Sequence, residues 1–253
     1  MIAYQGFMTK SFKDLEFMQD NGLVAYHDEN APVVVYGGHY GDTINLIKKH
    51  KGDVIVNWTG GDSKRVKSVY PYTRPNITNV TTMPNIQKVL ISKGINCRMI
   101  RHSRAKVPTP LVKGDKVYTY IHELAKAKYR EDIVEEIKTP YDILIMRLSV
   151  PYKEWYAGKC DDYYGQSFIG LALSDFTGAT GSAVDMGLRG IRVVTNVINM
   201  PHCIPWSTVS DIENAIAEEA VEIGVCNRQV SEEVASEMII GAKGFDLDKL
   251  LVE

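Results

Sequence analysis

The sequence lacks most of the signals that would place it outside an ordinary aqueous compartment. No window approaches the roughly 18 consecutive apolar residues of a membrane-spanning helix. The opening "MIAYQGFMTKSFKDLEF" has neither the basic stretch nor the apolar run of about 7–15 residues that a secretory signal needs. A cytoplasmic protein is therefore expected, and the sequons at Asn57, Asn76 and Asn79 carry no meaning there. Cysteine is sparse: Cys97, Cys160, Cys203 and Cys226 stand without CxxC or Cys/His ligand spacing, which excludes a disulfide framework and a zinc motif. His202 beside Cys203 is the nearest approach to a ligand pair. No DxD motif stands after a nucleotide fold; Asp161-Asp162 is the nearest, so no metal is expected. Low-complexity tracts and internal repeats are absent, and with 45% hydrophobic against 24% charged residues a disordered chain is excluded.

What is present is alternation. Strand-length apolar runs such as "VVVYGG" (33–38), "DVIVNW" (53–58), "VYTYI" (117–121) and "IRVVTNV" (191–197) alternate with helical patterns such as "GDTINLIKKHKG" and "NIQKVLISKG". This is the signature of α/β architecture with parallel sheets. Asp42 has the type and position of a helix N-cap. The proline-containing, aperiodic segment "RHSRAKVPTPLVKGDK" (101–116) reads as a linker. Two Rossmann-like domains are expected, residues 1–112 and 113–253, with residues 1–32 unplaced and "KEWYAGKCDDYYGQSF" read as a long aromatic loop. Charge is divided between the two. Residues 1–112 hold 15 Lys and Arg against 8 Asp and Glu, and residues 113–253 hold 14 against 23. A net charge of +7 on the first part suits a phosphate-bearing partner, although a merely dipolar surface gives the same count.

The segment "SDFTGATGSAVDMGLRGIRVVTN" (174–196) carries the most chemistry. Glycines and hydroxyl residues between a strand and a helix leave backbone N–H groups open to an anion, and the helix dipole favours negative charge there. A dinucleotide loop would need a third glycine where Val184 stands, and only about 75 residues follow the loop, too few for a complete dinucleotide fold. An NAD(P)-dependent oxidoreductase is thus the weaker reading. The pattern "VDMGLRGIRVVTN" resembles the donor-binding part of GT-B glycosyltransferases of the retaining E-x7-E class. There a loop of the type EGFG leads into a helix beginning EAMACG and a strand PVVAT. Asp185 takes the place of the second glutamate and Gly190 that of the helix-ending glycine. Thr177, eight residues before Asp185, departs from the first glutamate.

This resemblance implies a GT-B fold, two Rossmann-like domains facing a cleft, and transfer of a sugar from a nucleotide-diphosphate sugar to an acceptor hydroxyl; a UDP-sugar is the expected donor, although the base is not legible in the residues. It implies that Thr177, Gly178, Thr180, Gly181, Ser182 and Asp185 bind the donor. His122, Lys126 and Lys128 stand near the positions where these enzymes place an Arg and a Lys on the leaving diphosphate. Without a metal, such cations and amides must stabilise the charge that develops. No cofactor beyond the donor substrate is expected.

In the first domain, "YGGHYGD" (36–42) and "NWTGGDS" (57–63) leave the ends of consecutive strands, and the second is similar to the W-x-G-x-D loops of bacterial polysaccharide glycosyltransferases. His39, Asp42 and Asp62 are the candidates for orienting or deprotonating an acceptor hydroxyl. Gly37, Gly38, Lys64, Arg65, Arg101 and Arg104 are the candidate acceptor-side residues. An anionic acceptor fits them: a phosphorylated or lipid-linked glycan, or DNA with hydroxymethylated pyrimidines such as phage glycosyltransferases of this architecture modify. A non-catalytic nucleotide- or nucleic-acid-binding protein of the same fold is the alternative from another class. The oligomeric state is not legible.

Overall fold

The computed structural model describes residues 4–8, 22–104, 107–147, 160–174, 180–240 and 251. The chain forms two compact units, Met1–Lys106 with Met238–Glu253, and Val107–Glu237.

Unit 1 is built on a parallel sheet of β1 (Gln5–Met8), β2 (Val24–Ala25), β3 (Val33–Tyr36), β4 (Val54–Trp58), β5 (Ile77–Thr81) and β6 (Cys97–Met99), in the order β2-β1-β3-β4-β5-β6. Val33, Val34 and Val35 are fully buried, the uninterrupted apolar run of a parallel strand covered on both faces. Helix α1 (Gly41–Lys49) turns Thr43, Leu46 and Ile47 inward at helical spacing, and α3 (Pro84–Ser92) does the same with Ile86 and Leu90. Each buried aliphatic side chain of this kind contributes about 1.5–3 kcal/mol. Between β4 and β5 lies a single helical turn, α2 (Asp62–Arg65). The chain leaves β1 toward β2 on one side and then crosses to β3 on the other. The carboxyl ends of β1 and β3 therefore flank the switch point where such sheets bind ligands.

Unit 2 repeats the plan with β8 (Lys116–Ile121), β9 (Ile143–Arg147), β10 (Ser167–Leu171), β11 (Arg192–Val194) and β12 (Cys203–Ile204), all parallel, in the order β12-β11-β10-β8-β9. Its switch point lies between β8 and β10. Val117, Ile121, Phe168, Ile169, Leu171 and Val194 form the centre of its core, with Ile212 and Ile216 of α7 (Val209–Glu219) packed on them. Helix α7 begins with a capping box: the Asp211 N–H donates to Thr208 Oγ1 at 3.2 Å, and the Thr208 N–H donates to the Asp211 carboxylate at 2.8 Å. Helix α6 (Thr180–Leu188) ends on Gly190, whose φ of +84° and a would-be Cβ 2.3 Å from the Asn227 carbonyl oxygen admit only glycine.

The structure departs from the sequence reading in several places. The segment after β6 belongs to both units: β7 (Ser103–Arg104) pairs in parallel with β13 (Ile239–Ile240), and Leu251 bridges Ile100. The chain tail, expected in the second domain, thus returns to unit 1, because Ile239 and Leu251 pack on the cluster of Leu23, Val34, Ile55 and Ile100. Residues 107–113 instead lie on unit 2, where the Leu111 N–H donates to the Arg189 carbonyl and that of Lys113 to Val225. Unit 1 so defined holds 17 Lys and Arg against 11 Asp and Glu, and unit 2 holds 12 against 20, so the charge division survives the new boundary. Part of the expected aromatic loop is helical: α5 (Cys160–Tyr164) forms because Tyr164 is buried edge-on against Tyr118, 5.2 Å between centroids, and Asp161 pairs with Arg189. Trp155 of the same segment lies outside the described residues. Asp42 is not the N-cap of α1; Tyr40 is, and Asp42 sits exposed in the first turn, where it complements the helix dipole. Among the described residues, no helix is long and apolar enough to cross a membrane.

Candidate functional site

In unit 1 the loops after β3 and β4 meet at the carboxyl end of the sheet. Gly37 has φ +82°, the left-handed region, and a Cβ there would lie 2.7 Å from the Tyr40 ring. A Cβ on Gly38 would lie 2.5 Å from the indole of Trp58. Both glycines are buried, so their smallness serves the close stacking of the loop on Trp58.

Asp62 joins the two loops. It is 2% exposed; its Oδ2 accepts the Gly38 N–H at 2.6 Å and its Oδ1 accepts the Gly60 N–H at 3.1 Å. Burial raises its pKa above the usual carboxylate range, while the N–H groups of Gly38, His39 and Gly60 oppose that shift. Both oxygens are occupied by backbone, which makes Asp62 an anchor of the loops.

His39 is half-buried, with Nδ1 2.9 Å from the Tyr72 hydroxyl. Desolvation, with the charges of Lys93, Arg65 and Lys67, lowers its pKa below the usual 6.5. Both effects favour the neutral imidazole, which keeps a lone pair on one ring nitrogen to accept a hydrogen bond. Lys93 is tied down at the end of α2, where its Nζ donates to the Lys64 and Val66 carbonyls at 2.8 Å each. Lys64, Arg65 and Arg101 are exposed, Asp42 is exposed on α1, and Arg104 lies on β7. His39 and Asp62 are thus brought together with Gly37 and Gly38, and Arg65 lies close enough to act on His39.

In unit 2, His122 follows the last residue of β8 and stacks on Tyr129, with rings 6.3 Å apart at 19°. The 3-10 helix Glu123–Tyr129 carries Lys126 and Lys128, both exposed; Lys128 Nζ lies 5.6 Å from the centroid of the Tyr129 ring. Lys126 pairs at 3.2 Å with Glu131, the first residue of α4 (Glu131–Glu136), and Arg147, at the end of β9, pairs with the same carboxylate. The hydrogen bond from Arg147, more than that from Lys126, lowers the pKa of Glu131. Arg147 Nη1 is buried and has no hydrogen-bond partner among the described residues. Two cations on one carboxylate leave a net positive charge beside the carboxyl end of β8.

Across the switch point, β10 leads toward α6. Thr177 and Gly178 lie outside the described residues; Thr180 opens α6. Gly181 is exposed, and a Cβ built on it would meet nothing within 4 Å, so no packing demands glycine there. Ser182, in the first turn of α6, acts on the buried phenols of Tyr118 on β8 and Tyr164 on α5, opposing the rise in pKa that burial imposes on both. Asp185, one turn on, is half-buried, and its charge acts on Cys160 and Tyr164 of α5. Arg189 seals this side of the helix, paired with Asp161, donating to the Asp185 carbonyl at 3.0 Å and lying over the Tyr164 ring.

His202 is core. Its Nε2–H donates to the Ala183 carbonyl at 2.9 Å, and a Cβ on Gly187 would lie 2.6 Å from its ring. Burial pushes its pKa down to about 4. Among the described residues, no group of three or more His, Cys, Asp or Glu is arranged to hold a metal ion. Sequence reasoning missed Tyr72 and Arg147; nothing periodic marks either, and the aromatics and prolines of "VYPYTRP" (69–75) are the one local signal that could have pointed to Tyr72.

No protein-family model matches the sequence, and no curated protein does. Solved structures do. The crystal structure of TarM matches with a TM-score of 0.55 at 11% identity, over 81% of this chain and 51% of that one. Sucrose-phosphate synthase from Thermosynechococcus elongatus matches at 0.56 and 11%, over 82% and 69%. The apo form of the lipopolysaccharide outer core galactosyltransferase WaaB matches at 0.54 and 10%, over 88% and 73%. The chain spans about half of the TarM chain it matches. These likenesses show the fold: α/β, with two Rossmann-like domains, as in GT-B glycosyltransferases.

Proposed function

We propose that the protein is a glycosyltransferase that moves a sugar from a nucleotide-diphosphate sugar, with UDP as the nucleotide, to an acceptor hydroxyl. Unit 2 binds the donor and unit 1 receives the acceptor. The observation that carries the reading is the small-residue entrance to α6 at the switch-point end of β10, in the second of two Rossmann-like units. There the N–H groups of the first helical turn take the diphosphate, and the openness of Gly181 lets it approach. Asp185 holds the ribose hydroxyls. His122, Lys126, Lys128 and Arg147 supply the positive charge that steadies the departing diphosphate without a metal. In unit 1, neutral His39 accepts the hydrogen bond of the acceptor hydroxyl and raises the nucleophilicity of its oxygen. The acceptor oxygen bonds to the anomeric carbon as the bond to the diphosphate breaks; the resemblance to the E-x7-E class carries retention of configuration.

The net positive charge of unit 1 supports an anionic acceptor, a phosphorylated glycan or hydroxymethylated DNA. The reading is tested by a thermal-shift screen of UDP, GDP and their sugars, followed by hydrolysis of the stabilising donor without acceptor. Stabilisation by a nucleotide sugar that is lost in Asp185→Ala supports it. Stabilisation by NAD(P) alone, or by no nucleotide, overturns it.

A further inference from the structure

The environment of His39 is more specified than a loop histidine requires. Tyr72 is 2% exposed, and its hydroxyl has two neighbours: the Gly38 carbonyl oxygen at 2.8 Å and His39 Nδ1 at 2.9 Å. A phenol has one proton to give. Gly38 is buried and its carbonyl can only accept, so that proton goes to Gly38. The phenol oxygen is then an acceptor toward His39, and Nδ1 must carry a hydrogen. The opposite tautomer would set an Nδ1 lone pair against the phenol oxygen, or draw the phenol proton away and leave the buried Gly38 carbonyl without it. Nε2, the other ring nitrogen, has no hydrogen-bond partner among the described residues.

Tyr72 itself is held on every side. Its ring meets Trp58 edge-on at 4.9 Å, and its carbonyl accepts from Asn79 Nδ2 at 2.9 Å. Asn79 Oδ1 in turn accepts the Trp58 indole N–H at 3.2 Å. The same Trp58 ring fixes Gly38, and Asp62 fixes the Gly38 N–H, so donor, acceptor and ring belong to one closed, buried network.

We infer that Tyr72 is a positioning residue that fixes His39 in the Nδ1–H tautomer and so makes Nε2 the acceptor presented to the acceptor hydroxyl. The proposal rests on the reading of His39 as the acceptor-side group, and it adds the residue that decides which ring nitrogen does that work. The cationic neighbours act in the same direction: Arg65, Lys67 and Lys93 disfavour the imidazolium, which has no lone pair to offer.

The test is long-range proton–nitrogen NMR of His39 at neutral pH in the wild type and in Tyr72→Phe, which keeps the ring and its packing on Trp58. The expected result is a neutral Nδ1–H imidazole in the wild type that becomes a mixture dominated by Nε2–H in the variant. Turnover then falls about tenfold or more, with the KM for donor unchanged, and Tyr72→Phe has no further effect in a His39→Ala background. Nε2–H in the wild type, or the same tautomer in both proteins, overturns the inference. The spectrum needs no substrate, so the two readings fail separately. Absence of transfer with the expected tautomers counts against the glycosyltransferase alone. Transfer with an unchanged tautomer counts against Tyr72 alone.

Discussion

Lowering the pH from 7 to 4 should destabilise unit 2, and one side chain, His202, contributes a share that can be isolated. His202 is buried, 1% exposed, and its pKa in the folded protein is pushed down to about 4 by desolvation, with Arg192 adding to the shift. In the unfolded chain it returns to the ordinary value of about 6.5. A histidine with a lowered folded pKa binds its proton more readily when unfolded, so stability is full above about pH 6.5 and falls as the pH descends toward 4. At about 1.4 kcal/mol per pKa unit, the loss reaches about 3 kcal/mol at pH 4. The structural cause is local: the imidazole fills the space above Gly187 and holds the Ala183 carbonyl in the first half of α6, the helix assigned to the donor. Urea unfolding of the wild type and of His202→Gln, whose amide can still donate to Ala183, isolates the contribution, because the carboxylates titrate alike in both. The wild type should lose about 3 kcal/mol more than the variant between pH 7 and 4. Equal losses in the two proteins would show that His202 does not carry this pH dependence.

Three further outcomes are expected. Asp62→Ala leaves the Gly38 and Gly60 N–H groups without their carboxylate, and at about 1–3 kcal/mol per unsatisfied buried donor the midpoint of thermal unfolding of unit 1 should fall by roughly 10 °C; an unchanged midpoint would remove Asp62 as the loop anchor. Lys113, whose side chain is 0% exposed, pairs with Glu222 at 3.3 Å and Glu219 at 3.8 Å; Lys113→Met should cost about 3–5 kcal/mol in chemical unfolding, and adding Glu222→Gln should recover part of it, whereas additive losses would argue against the pairing. Replacing Arg65 and Lys67 by Gln removes two of the charges that depress His39, so its pKa, followed by NMR, should rise and the acid limb of the pH–rate profile should move to higher pH; no movement would separate His39 from that cluster.

The parts of the fold that were legible are those whose information is local. β3 and β4 are continuous apolar runs flanking the helical stripe of α1, and each appears where that pattern predicts. β2 and β12 are two-residue strands, and α5 is a five-residue helix; such pieces are too short to carry a period, and packing partners decide them. The return of the tail to unit 1 depends on β13 meeting β7, a pairing between distant segments that no window of sequence contains. The candidate site divides the same way. The glycine pair and Asp62 stood out as loop residues at the ends of consecutive strands, although only the structure reveals that Trp58 demands Gly38 and that Asp62 accepts the Gly38 and Gly60 N–H groups. Tyr72 reaches His39 across 33 residues and Arg147 reaches Glu131 across 16, so neither role could be read from spacing.

The most direct test of the central claim is to map nucleotide-sugar binding onto the backbone of unit 2 by amide chemical shifts during titration with UDP-sugars. Saturable shifts are expected at Gly181, Ser182, Asp185 and His122 in the wild type, and none in Asp185→Ala. Shifts confined to other elements, or none with any nucleotide sugar, would contradict it.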